Sequence, residues 1–356
     1  MFMTMQSSDN LIPVAVVGVG RMGRHHARTY KKLPQAKLLA VVDADEDRAA
    51  TVADDFNCDY VPSVEALLER YPQVQAVSVA VPTIYHANAA KPLLTRGVAC
   101  LVEKPLAPTL EDAKDLADWA VKHHAVLQVG HTERFNPAVR AIMATGIVPR
   151  FMEVDRISPM TFRSLDVGVV MDMMIHDLDI VLALANSPLA RVDATGVPLL
   201  SKHEDVANAR LVFESGCVAN LTASRLALKT ERKLRIFSED AYVSLDYQKR
   251  TAILIRRSDN AQALDDLREQ LEAGADLSTL DYSKIVNVTE MRMDSPSEGP
   301  LDMNDPLTAE LSSFLDAAVG KIQPVVDGKA GFAAVAAAEA VARAIRSHEW
   351  KGLGKL

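Results

Sequence analysis

From residue 13 to about residue 130, short apolar runs alternate with stretches in which apolar side chains recur at helical spacing. This alternation is typical of strand–helix–strand units and predicts a parallel sheet flanked by helices. The predicted strands are residues 14–17, 37–42, 76–81, 99–102 and 126–129, and the predicted helices are residues 22–32, 45–56, 64–70, 86–96 and 110–123.

Beyond about residue 135 the pattern changes to a run of neighbouring strands. One helical stretch at 170–184 precedes segments of strand character at 191–196, 208–213, 217–224, 233–237, 241–246 and 251–256. Short turns between such segments, including a hairpin turn at 214–216, predict a mostly antiparallel sheet and an α+β second domain. Residues 259–280 are acidic and helix-prone, and helices are predicted again at 306–315 and 331–348.

The turn after the first strand contains glycines at fixed spacing. Gly18, Gly20 and Gly23 form Gly-x-Gly-x-x-Gly between strand and helix, the context that a dinucleotide fingerprint requires. The first glycine permits a tight turn, the second a close approach of a pyrophosphate, and the third close helix–strand packing. Arg21 and Met22 lie between them, at a helix N-terminus whose free N–H groups favour phosphate. The alternative is a glycine-rich turn without a ligand.

Asp43 ends the second predicted strand, twenty residues after Gly23. A carboxylate at this place accepts hydrogen bonds from the ribose diol of an adenosine and repels a 2′-phosphate. The sequence therefore predicts a domain of the Rossmann type, with a doubly wound parallel sheet that binds NAD in preference to NADP.

The size and charge of the chain limit the classes of protein to which it can belong. A length of 356 residues favours two domains, and a net charge of −8 argues against a general nucleic-acid surface. No apolar run reaches membrane-spanning length. The polar start is not a signal peptide, so we expect residues 1–12 to be a disordered tail and the protein to be cytoplasmic. The three cysteines lack metal-ligand spacing and are typical of a reducing compartment.

Glu103, Lys104 and Pro105 directly follow the predicted strand at 99–102. Ligands of a doubly wound sheet bind at the carboxyl ends of the strands. Lys104 is therefore expected to point into the cofactor cleft, where partial desolvation makes it a candidate acid or base. The alternative is a solvated lysine in a turn.

The predicted helix at 170–184 carries Asp172 and His176, which lie four residues apart and so share a face. A carboxylate beside an imidazole raises the pKa of the ring and orients its tautomer, as a proton-transfer pair requires. The alternatives are a hydrogen-bonded core histidine and a metal site that includes Asp177 or Asp179. Since the chain shows no second His or Cys ligand pair, no metal is expected.

Two further polar segments follow predicted strands. The segment Gly-His-Thr-Glu-Arg-Phe-Asn-Pro leaves the last strand where the two domains should meet, so Arg134 and Asn136 are candidate substrate ligands. A hinge held by ion pairs is an equal alternative for this segment. Pro82, Thr83 and His86 follow the third strand and are expected near the nicotinamide ribose, although His86 could serve only to start its helix.

These features together resemble the Gfo/Idh/MocA family of sugar and inositol oxidoreductases over nearly the whole chain. The residues that carry the resemblance are the glycine fingerprint, Pro82 and Thr83 with His86, Glu103-Lys104-Pro105, the Asp172/His176 pair, Pro306 and Gly331. The resemblance implies NAD as the cofactor, with Glu103 as a further cofactor contact. It places the family's catalytic lysine, aspartate and histidine at Lys104, Asp172 and His176. One departure is Val167-Gly168, where many members have Gly-Gly.

The resemblance also implies an architecture. Members combine a Rossmann domain with a second domain whose open sheet often forms the dimer interface, and their C-terminal helices return to the first domain. We therefore expect an α/β protein in which residues 13–133, with helices from about 302–348, bind the dinucleotide. Residues 134–301 are expected to form an α+β domain with a large, mostly antiparallel open sheet, which binds substrate and mediates formation of a homodimer or homotetramer.

The motifs Gly-His-x-Glu-Arg-Phe-Asn-Pro and Met-Ile-His-Asp-Leu-Asp are most similar to members that oxidise C3 of UDP-N-acetylglucosamine. The implied reaction is NAD-dependent oxidation of a secondary hydroxyl to a ketone. An aminotransferase that makes a 3-amino sugar for lipid A is the implied partner. Arg156, Arg163 and Arg225 are candidate ligands of the diphosphate, with Arg163 the one assigned to the substrate site.

Two questions stay open at the level of the sequence. Either His176, polarised by Asp172, or Lys104 could be the base that takes the hydroxyl proton. The chain could also be a dehydrogenase of a free polyol such as inositol, or an NAD-binding sensor without activity. The presence of Lys104, Asp172 and His176 together counts against the sensor, which has no use for a proton-transfer pair.

Overall fold

The computed structural model describes residues 11–160, 167–258, 261–274, 286–292 and 302–349. Residues 1–10 of the predicted tail, residues 275–280 of the acidic stretch and Arg163 lie outside the described residues. The described parts of Met1–Phe135 and Pro296–Ala340 form one compact unit, and those of Asn136–Ser295 and Val341–Leu356 form a second. None of the helices described is long and apolar enough to cross a membrane.

The strands and helices have the following bounds. The strands are β1 (Ile12–Val17), β2 (Ala36–Val42), β3 (Asp59–Val61), β4 (Ala76–Val79), β5 (Ala99–Glu103), β6 (Leu127–Gly130), β7 (Phe151–Ile157), β8 (Leu189–Val197), β9 (Val206–Phe213), β10 (Val218–Ser224), β11 (Glu231–Phe237), β12 (Ala241–Asp246), β13 (Thr251–Arg257) and β14 (Val286–Arg292). The helices are α1 (Arg21–Lys32), α2 (Glu46–Phe56), α3 (Val64–Arg70), α4 (His86–Thr95), α5 (Leu110–Lys122), α6 (Pro137–Ala144), α7 (Ile175–Ala185), α8 (Ala261–Glu272), α9 (Pro306–Ala318) and α10 (Gly328–Ser347).

The first unit contains a six-stranded parallel sheet of order β3-β2-β1-β4-β5-β6, which confirms the predicted doubly wound sheet. All residues of β4, β5 and β6 are buried, as expected where helices cover both faces of a parallel sheet. Tyr30 of α1 and Phe314 of α9 are fully buried against the strands in one core. The strand order reverses between β1 and β4, and ligands of such sheets bind at the carboxyl ends of the strands beside this point.

The second unit contains an eight-stranded sheet of order β14-β13-β12-β11-β7-β10-β9-β8. All neighbours are antiparallel except β7 and β10, which confirms the mostly antiparallel sheet. The predicted hairpin turn joins β9 to β10, with Gly216 at φ +83°. Met152, Val154 and Arg156 of β7 are buried, whereas the alternate residues of this strand are partly exposed.

The structure also contains elements that the sequence pattern does not predict. These are β3, β7, β14 and α6. In β7, a buried arginine occupies a position where the alternation would require an apolar side chain. The helix predicted at 170–184 is not uniform, because Val170–Met174 form a π-helical turn before α7 begins. Such turns are frequent at functional sites.

Candidate functional site

The glycine turn of the first unit has the geometry that a pyrophosphate requires. Gly18 has φ +82°, and a Cβ at this position would lie 2.7 Å from the main-chain nitrogen of Val81. A Cβ at Gly23 would collide with the carbonyl oxygen of Gly18. Gly20 differs, because a Cβ there would meet no described atom within 4 Å. Gly18 and Gly23 are therefore needed for the fold, and the open side of Gly20 leaves room for a ligand.

A cavity of about 720 Å³ opens beside this turn, within the usual range for a small-molecule site. It is lined by the ends of β1 and β2, the start of α1 and the segment after β4, including Gly18, Gly20, Met22, Asp43, Arg48, Pro82 and Tyr85. Gly20 caps α1 without a side-chain hydrogen bond. The main-chain N–H groups of the first turn can therefore serve an anion. The residues present fit the pyrophosphate and ribose of NAD.

Asp43 is already engaged in the wall of this cavity. Its Oδ2 accepts from the N–H of Val19 at 2.8 Å, and Arg48 donates to both oxygens, from Nη2 at 2.8 Å and from Nε at 3.2 Å. Burial acts to raise the pKa of Asp43, but the hydrogen bonds from Arg48 and from main-chain N–H groups hold it below its ordinary value. A ribose diol would bind this carboxylate in place of Arg48. Arg48 was not predicted as part of this site, although an arginine five residues after the acid was a signal for it.

The structure also places an aromatic side chain in the cavity wall that the sequence analysis did not assign. Tyr85 follows Pro82 and Thr83 in a short 3-10 turn, lines the cavity and is 54% exposed. An aromatic ring at a cavity wall offers an apolar face to the ring of a nucleotide or a nicotinamide. Arg21, by contrast, is exposed at the first position of α1.

His86 has a different role from the predicted contact with the nicotinamide ribose. The residue is 1% exposed, and both ring nitrogens face main-chain oxygens. Nε2 lies 3.0 Å from the oxygen of Val81, and Nδ1 lies 3.1 Å from the oxygen of Pro105. Burial lowers the pKa of His86. The ring therefore joins the segment after β4 to the segment after β5, and it reaches the cavity only through the main chain of Val81.

Glu103 ends β5 at the carboxyl edge of the same sheet, and Lys104 follows it. Glu103 was predicted to contact the cofactor, but its carboxylate accepts hydrogen bonds from His26 Nε2 at 2.9 Å and from the N–H of Lys104 at 3.3 Å. The residue is 8% exposed, so the carboxylate is held inside the fold. Lys104 is half-buried.

In the second unit, Asp172 and His176 are half-buried on the segment formed by the π turn and α7. The N–H of Ile175 donates to the oxygen of Val170, five residues earlier. The relative placement of Asp172 and His176 therefore differs from that in an ideal α-helix. Within the described residues, no group of three or more His, Cys, Asp or Glu side chains could hold a metal ion.

The prediction that Arg156 binds a diphosphate is wrong. Arg156 is 4% exposed and forms a two-bond ion pair with Asp177, from Nε to Oδ2 at 2.6 Å and from Nη2 to Oδ1 at 2.8 Å. Its guanidinium also lies 5.6 Å from the ring centre of Tyr247. The pair fixes α7, which carries His176, to β7.

The prediction that Arg225 binds a diphosphate is wrong for the same reason. Arg225 is 3% exposed, and its Nε donates to Asp205 Oδ1 at 2.9 Å. Its Nη2 donates to the carbonyl oxygens of Val167 at 2.8 Å and Glu204 at 3.3 Å. Arg225 therefore holds the main chain that leads into the Asp172/His176 segment.

The same contacts explain the Val167-Gly168 departure. A Cβ at Gly168 would meet the carboxylate of Glu204, so a larger residue here would require that side chain to shift. Val167 is 37% exposed and meets no such restriction. The main-chain oxygen of Glu204 accepts a hydrogen bond from the N–H of Val169, and its side chain accepts one from the N–H of Val170. The backbone before the π turn is thus fixed by this loop.

The segment after β6 places its two predicted substrate ligands differently. Arg134 is half-buried in a 3-10 turn. Asn136 is 3% exposed; its Oδ1 accepts from the N–H of Ala138 and its Nδ2 donates to the oxygen of Tyr247 at 3.2 Å. The predicted substrate role of Asn136 is therefore replaced by the capping of α6. Arg134 stays a candidate substrate ligand.

The glycine turn gives a matched pair of variants. Gly20→Ala should fold normally, because its Cβ enters open space at φ −63°, but it should raise the Kd of NAD about tenfold by blocking the approach of the pyrophosphate. Gly23→Ala should lower the free energy of unfolding by about 2–3 kcal/mol, because its Cβ collides with backbone. Fluorescence titration with NADH and thermal unfolding measure the two effects. Equal NAD affinity in wild type and Gly20→Ala would show that the pyrophosphate does not bind at this turn.

Comparisons with known proteins cover most of the chain. Residues 12–131 match an oxidoreductase family with an NAD-binding Rossmann fold, and residues 140–244 match the GFO/IDH/MocA C-terminal domain. A UDP-N-acetylglucosamine 3-dehydrogenase of Acidithiobacillus ferrooxidans is 36% identical over 93% of this chain and 96% of its own length. Its solved structure has a TM-score of 0.79 at 34% identity and covers 94% of this chain and 97% of that chain. A scyllo-inositol 2-dehydrogenase (NAD+) of Bacillus subtilis is 29% identical over 61% of this chain and 68% of its own length.

Proposed function

The chain belongs to the Gfo/Idh/MocA family of NAD-binding oxidoreductases, and we propose that it oxidises the C3 hydroxyl of UDP-N-acetylglucosamine to a ketone. The observation that carries the proposal is the similarity, over 93% of this chain, to a relative that bears this activity in its name. The cavity beside the glycine turn and the placement of Lys104 at the end of β5 support it. The non-catalytic sensor is set aside, since the family is one of oxidoreductases.

We assign the chemistry as follows. The glycine turn and Asp43 would hold NAD+, which would supply the acceptor for the hydride of C3. The ammonium of Lys104 holds and polarises the hydroxyl oxygen, and the adjacent ionised carboxylate of Glu103 stabilises that ammonium. His176, oriented by Asp172, accepts the hydroxyl proton as the carbonyl forms. The proton thus goes to His176, the hydride with its electron pair goes to the cofactor, and the O–H electron pair forms the carbonyl bond.

Arg134, predicted only as a substrate ligand, is our proposed cation for the diphosphate. Arg134 is half-buried in the turn after β6, whereas Arg156 and Arg225 are buried. Arg134→Ala should raise the KM of a UDP-sugar about tenfold, because one charge-assisted hydrogen bond is lost, with little change in the Kd of NAD. Steady-state kinetics check this prediction, and an unchanged KM would exclude Arg134 from the diphosphate site.

The open face of the second sheet supports a homodimer or homotetramer. Directly paired strand positions place one apolar residue from each of seven strands in a single row on this face, which we call the apolar row: Val288, Ile255, Tyr242, Phe237, Phe151, Val218 and Val212. The rings of Phe151 and Phe237 stack at 5.6 Å, and those of Phe237 and Tyr242 lie 5.1 Å apart. A continuous row of this kind is typical of an interface. We propose that a second copy of the chain packs on it.

Phe237→Glu should convert the oligomer to a monomer of 38.7 kDa, because it places a charge in the middle of the apolar row. Light scattering after size exclusion measures the mass. Val121→Glu on α5 makes the same change at a residue that is 74% exposed, and it should leave the mass unchanged. An oligomer that survives Phe237→Glu would place the interface elsewhere.

We propose an aminotransferase as the enzyme that consumes the product, since a 3-keto sugar is a substrate for transamination and its removal draws an unfavourable oxidation forward. The proposed compartment is the cytoplasm, in keeping with three cysteines that are all free thiols.

Oxidation of a free polyol is the second candidate function. It is favoured by the 29% identity to the scyllo-inositol 2-dehydrogenase (NAD+) of Bacillus subtilis. Steady-state assays with myo-inositol and with UDP-sugars separate the two. Saturation by inositol alone would select the polyol, and it would keep the roles of Lys104 and His176.

A further inference from the structure

A buried hydrogen bond joins the fingerprint helix to the end of β5. His26 lies on α1, three residues after Gly23, and is 0% exposed. Its Nε2 lies 2.9 Å from Glu103 Oε1, so this nitrogen carries the hydrogen and donates it to the carboxylate. Nδ1 of the same ring is buried and makes no hydrogen bond within the described part of the chain. The orientation of the His26 ring therefore depends on Glu103.

Glu103 has little freedom to move. A Cβ added to Gly130 on the neighbouring strand β6 would lie 3.1 Å from both Cδ and Oε2 of Glu103, so the carboxylate packs directly on that backbone. Oε2 also accepts from the N–H of Lys104 at 3.3 Å. Burial acts to raise the pKa of Glu103, but the hydrogen bond and charge of His26 and the charge of Lys104 hold it below its ordinary value.

We propose that His26 is a positioning residue for Lys104, acting through the carboxylate of Glu103. The inference rests on the proposed function, in which Lys104 holds the reacting oxygen as an ammonium. His26 keeps Glu103 ionised and in place. Glu103 in turn fixes the main chain of Lys104 by one hydrogen bond and stabilises its charge. Since α1 begins at the pyrophosphate turn, the same helix serves the cofactor at one end and Lys104 through its buried side.

The groups that face Glu103 come from three elements. His26 lies on α1, and Lys104 follows Glu103 at the end of β5. His86, at the start of α4, is close enough for the charge of Glu103 to raise its pKa, although burial has the larger, opposite effect. The nitrogens of His86 are engaged with main-chain oxygens. His26 is thus the one side chain of the three with a hydrogen bond to the carboxylate in the described structure.

The variants follow from this geometry. His26→Leu removes the donor and favours the protonated form of Glu103, so Lys104 loses the neighbouring negative charge and should titrate at lower pH. Glu103→Gln removes the same charge directly with little change of shape. His26→Gln retains an N–H donor and should restore most of the wild-type behaviour. Tyr30→Phe on α1 is the matched control, because it removes the equally buried hydrogen bond to Ser78 Oγ at 2.7 Å.

The test is the titration of Lys104 itself. Lysines are methylated with ¹³C-formaldehyde, and the Lys104 resonance is identified by its absence in Lys104→Met. The midpoint should fall by about one pH unit in His26→Leu and in Glu103→Gln, and by a few tenths at most in His26→Gln. Tyr30→Phe should lower Tm without moving the midpoint. The pH profile of kcat should shift in the same direction as the titration.

An unchanged Lys104 midpoint in Glu103→Gln, or in a folded His26→Leu, would overturn the proposal. If His26→Leu does not fold, Glu103→Gln still decides the question. The titration needs no substrate, so it remains readable if the proposed function fails. If the chemistry assigned to Lys104 under the proposed function is wrong, the variant Lys104→Met will instead show normal turnover.

Discussion

Replacing Lys104 by methionine should lower kcat by a factor of about 10² or more and leave the Kd of NAD within about threefold. Methionine has similar length but cannot donate a hydrogen bond to the reacting oxygen. Lys104 follows the carboxyl end of β5, outside the glycine turn where we expect the pyrophosphate to bind, so cofactor binding should persist. NADH absorbance under saturating substrate gives kcat, and fluorescence titration gives the Kd.

Lys114→Met is the control for the loss of a lysine. Lys114 lies on α5 with a side chain 65% exposed and pairs only with Asp118 one helical turn away among the contacts described, so its replacement should change kcat by less than twofold. His176→Ala should also cost about 10²-fold or more in kcat, as expected for a proton acceptor. Near-wild-type turnover in both Lys104→Met and His176→Ala would exclude the assigned chemistry.

Asp205→Ala should lower the free energy of unfolding by about 3–5 kcal/mol, the largest expected effect on stability. Asp205 is fully buried and accepts hydrogen bonds from Arg225 and from the N–H groups of Leu199, Leu200 and Ser201. Truncation leaves the buried guanidinium of Arg225 without its counter-charge and three N–H groups without an acceptor. Denaturant unfolding followed by circular dichroism measures the loss.

Asp193→Ala gives the matched control, because Asp193 pairs with Arg191 on the surface at 59% and 66% side-chain exposure. We expect a loss of less than about 1 kcal/mol. A similar loss of unfolding free energy in both variants would mean that the Asp205 pair stabilises the fold no more than a surface ion pair does. Since Arg225 also holds Val167 and Glu204, Asp205→Ala should lower kcat as well.

The contribution of the Asp205–Arg225 pair to the free energy of unfolding should change with pH in a definite direction. Burial acts to raise the pKa of Asp205, but the main-chain hydrogen bonds outweigh it and hold the pKa well below its ordinary value. A carboxyl whose pKa is lower in the folded state contributes stability above its unfolded pKa of about 4. The contribution of Asp205 should therefore be complete at neutral pH and should fade as the pH falls through its folded pKa.

The cofactor turn could be predicted from the sequence because its reasons are local. Gly18 needs positive φ, and Gly23 packs on the Gly18 carbonyl five residues before it, so the spacing of the motif itself encodes both requirements. The parallel sheet follows from the alternation of strands and helices, and its NAD-binding character follows from the glycine motif together with Asp43.

The arginines and His86 could not be assigned correctly, because their partners lie far along the chain. Arg156 is neutralised by Asp177 and Arg225 by Asp205, each on a different element about twenty residues away. The pattern of a single strand shows such an arginine as a break in the apolar alternation, which is why β7 was not predicted. For His86, the partners are main-chain oxygens, which no side-chain pattern reveals.

The most direct test of the central claim is NADH formation when the purified protein is mixed with NAD+ and UDP-N-acetylglucosamine, with glutamate and an aminotransferase present to remove the 3-keto product. Parallel reactions contain UDP-N-acetylglucosaminuronate, glucose or myo-inositol. The account predicts NADH with UDP-N-acetylglucosamine only, and none with that substrate in Lys104→Met. NADH formed with a free polyol and not with UDP-N-acetylglucosamine would contradict the proposed substrate.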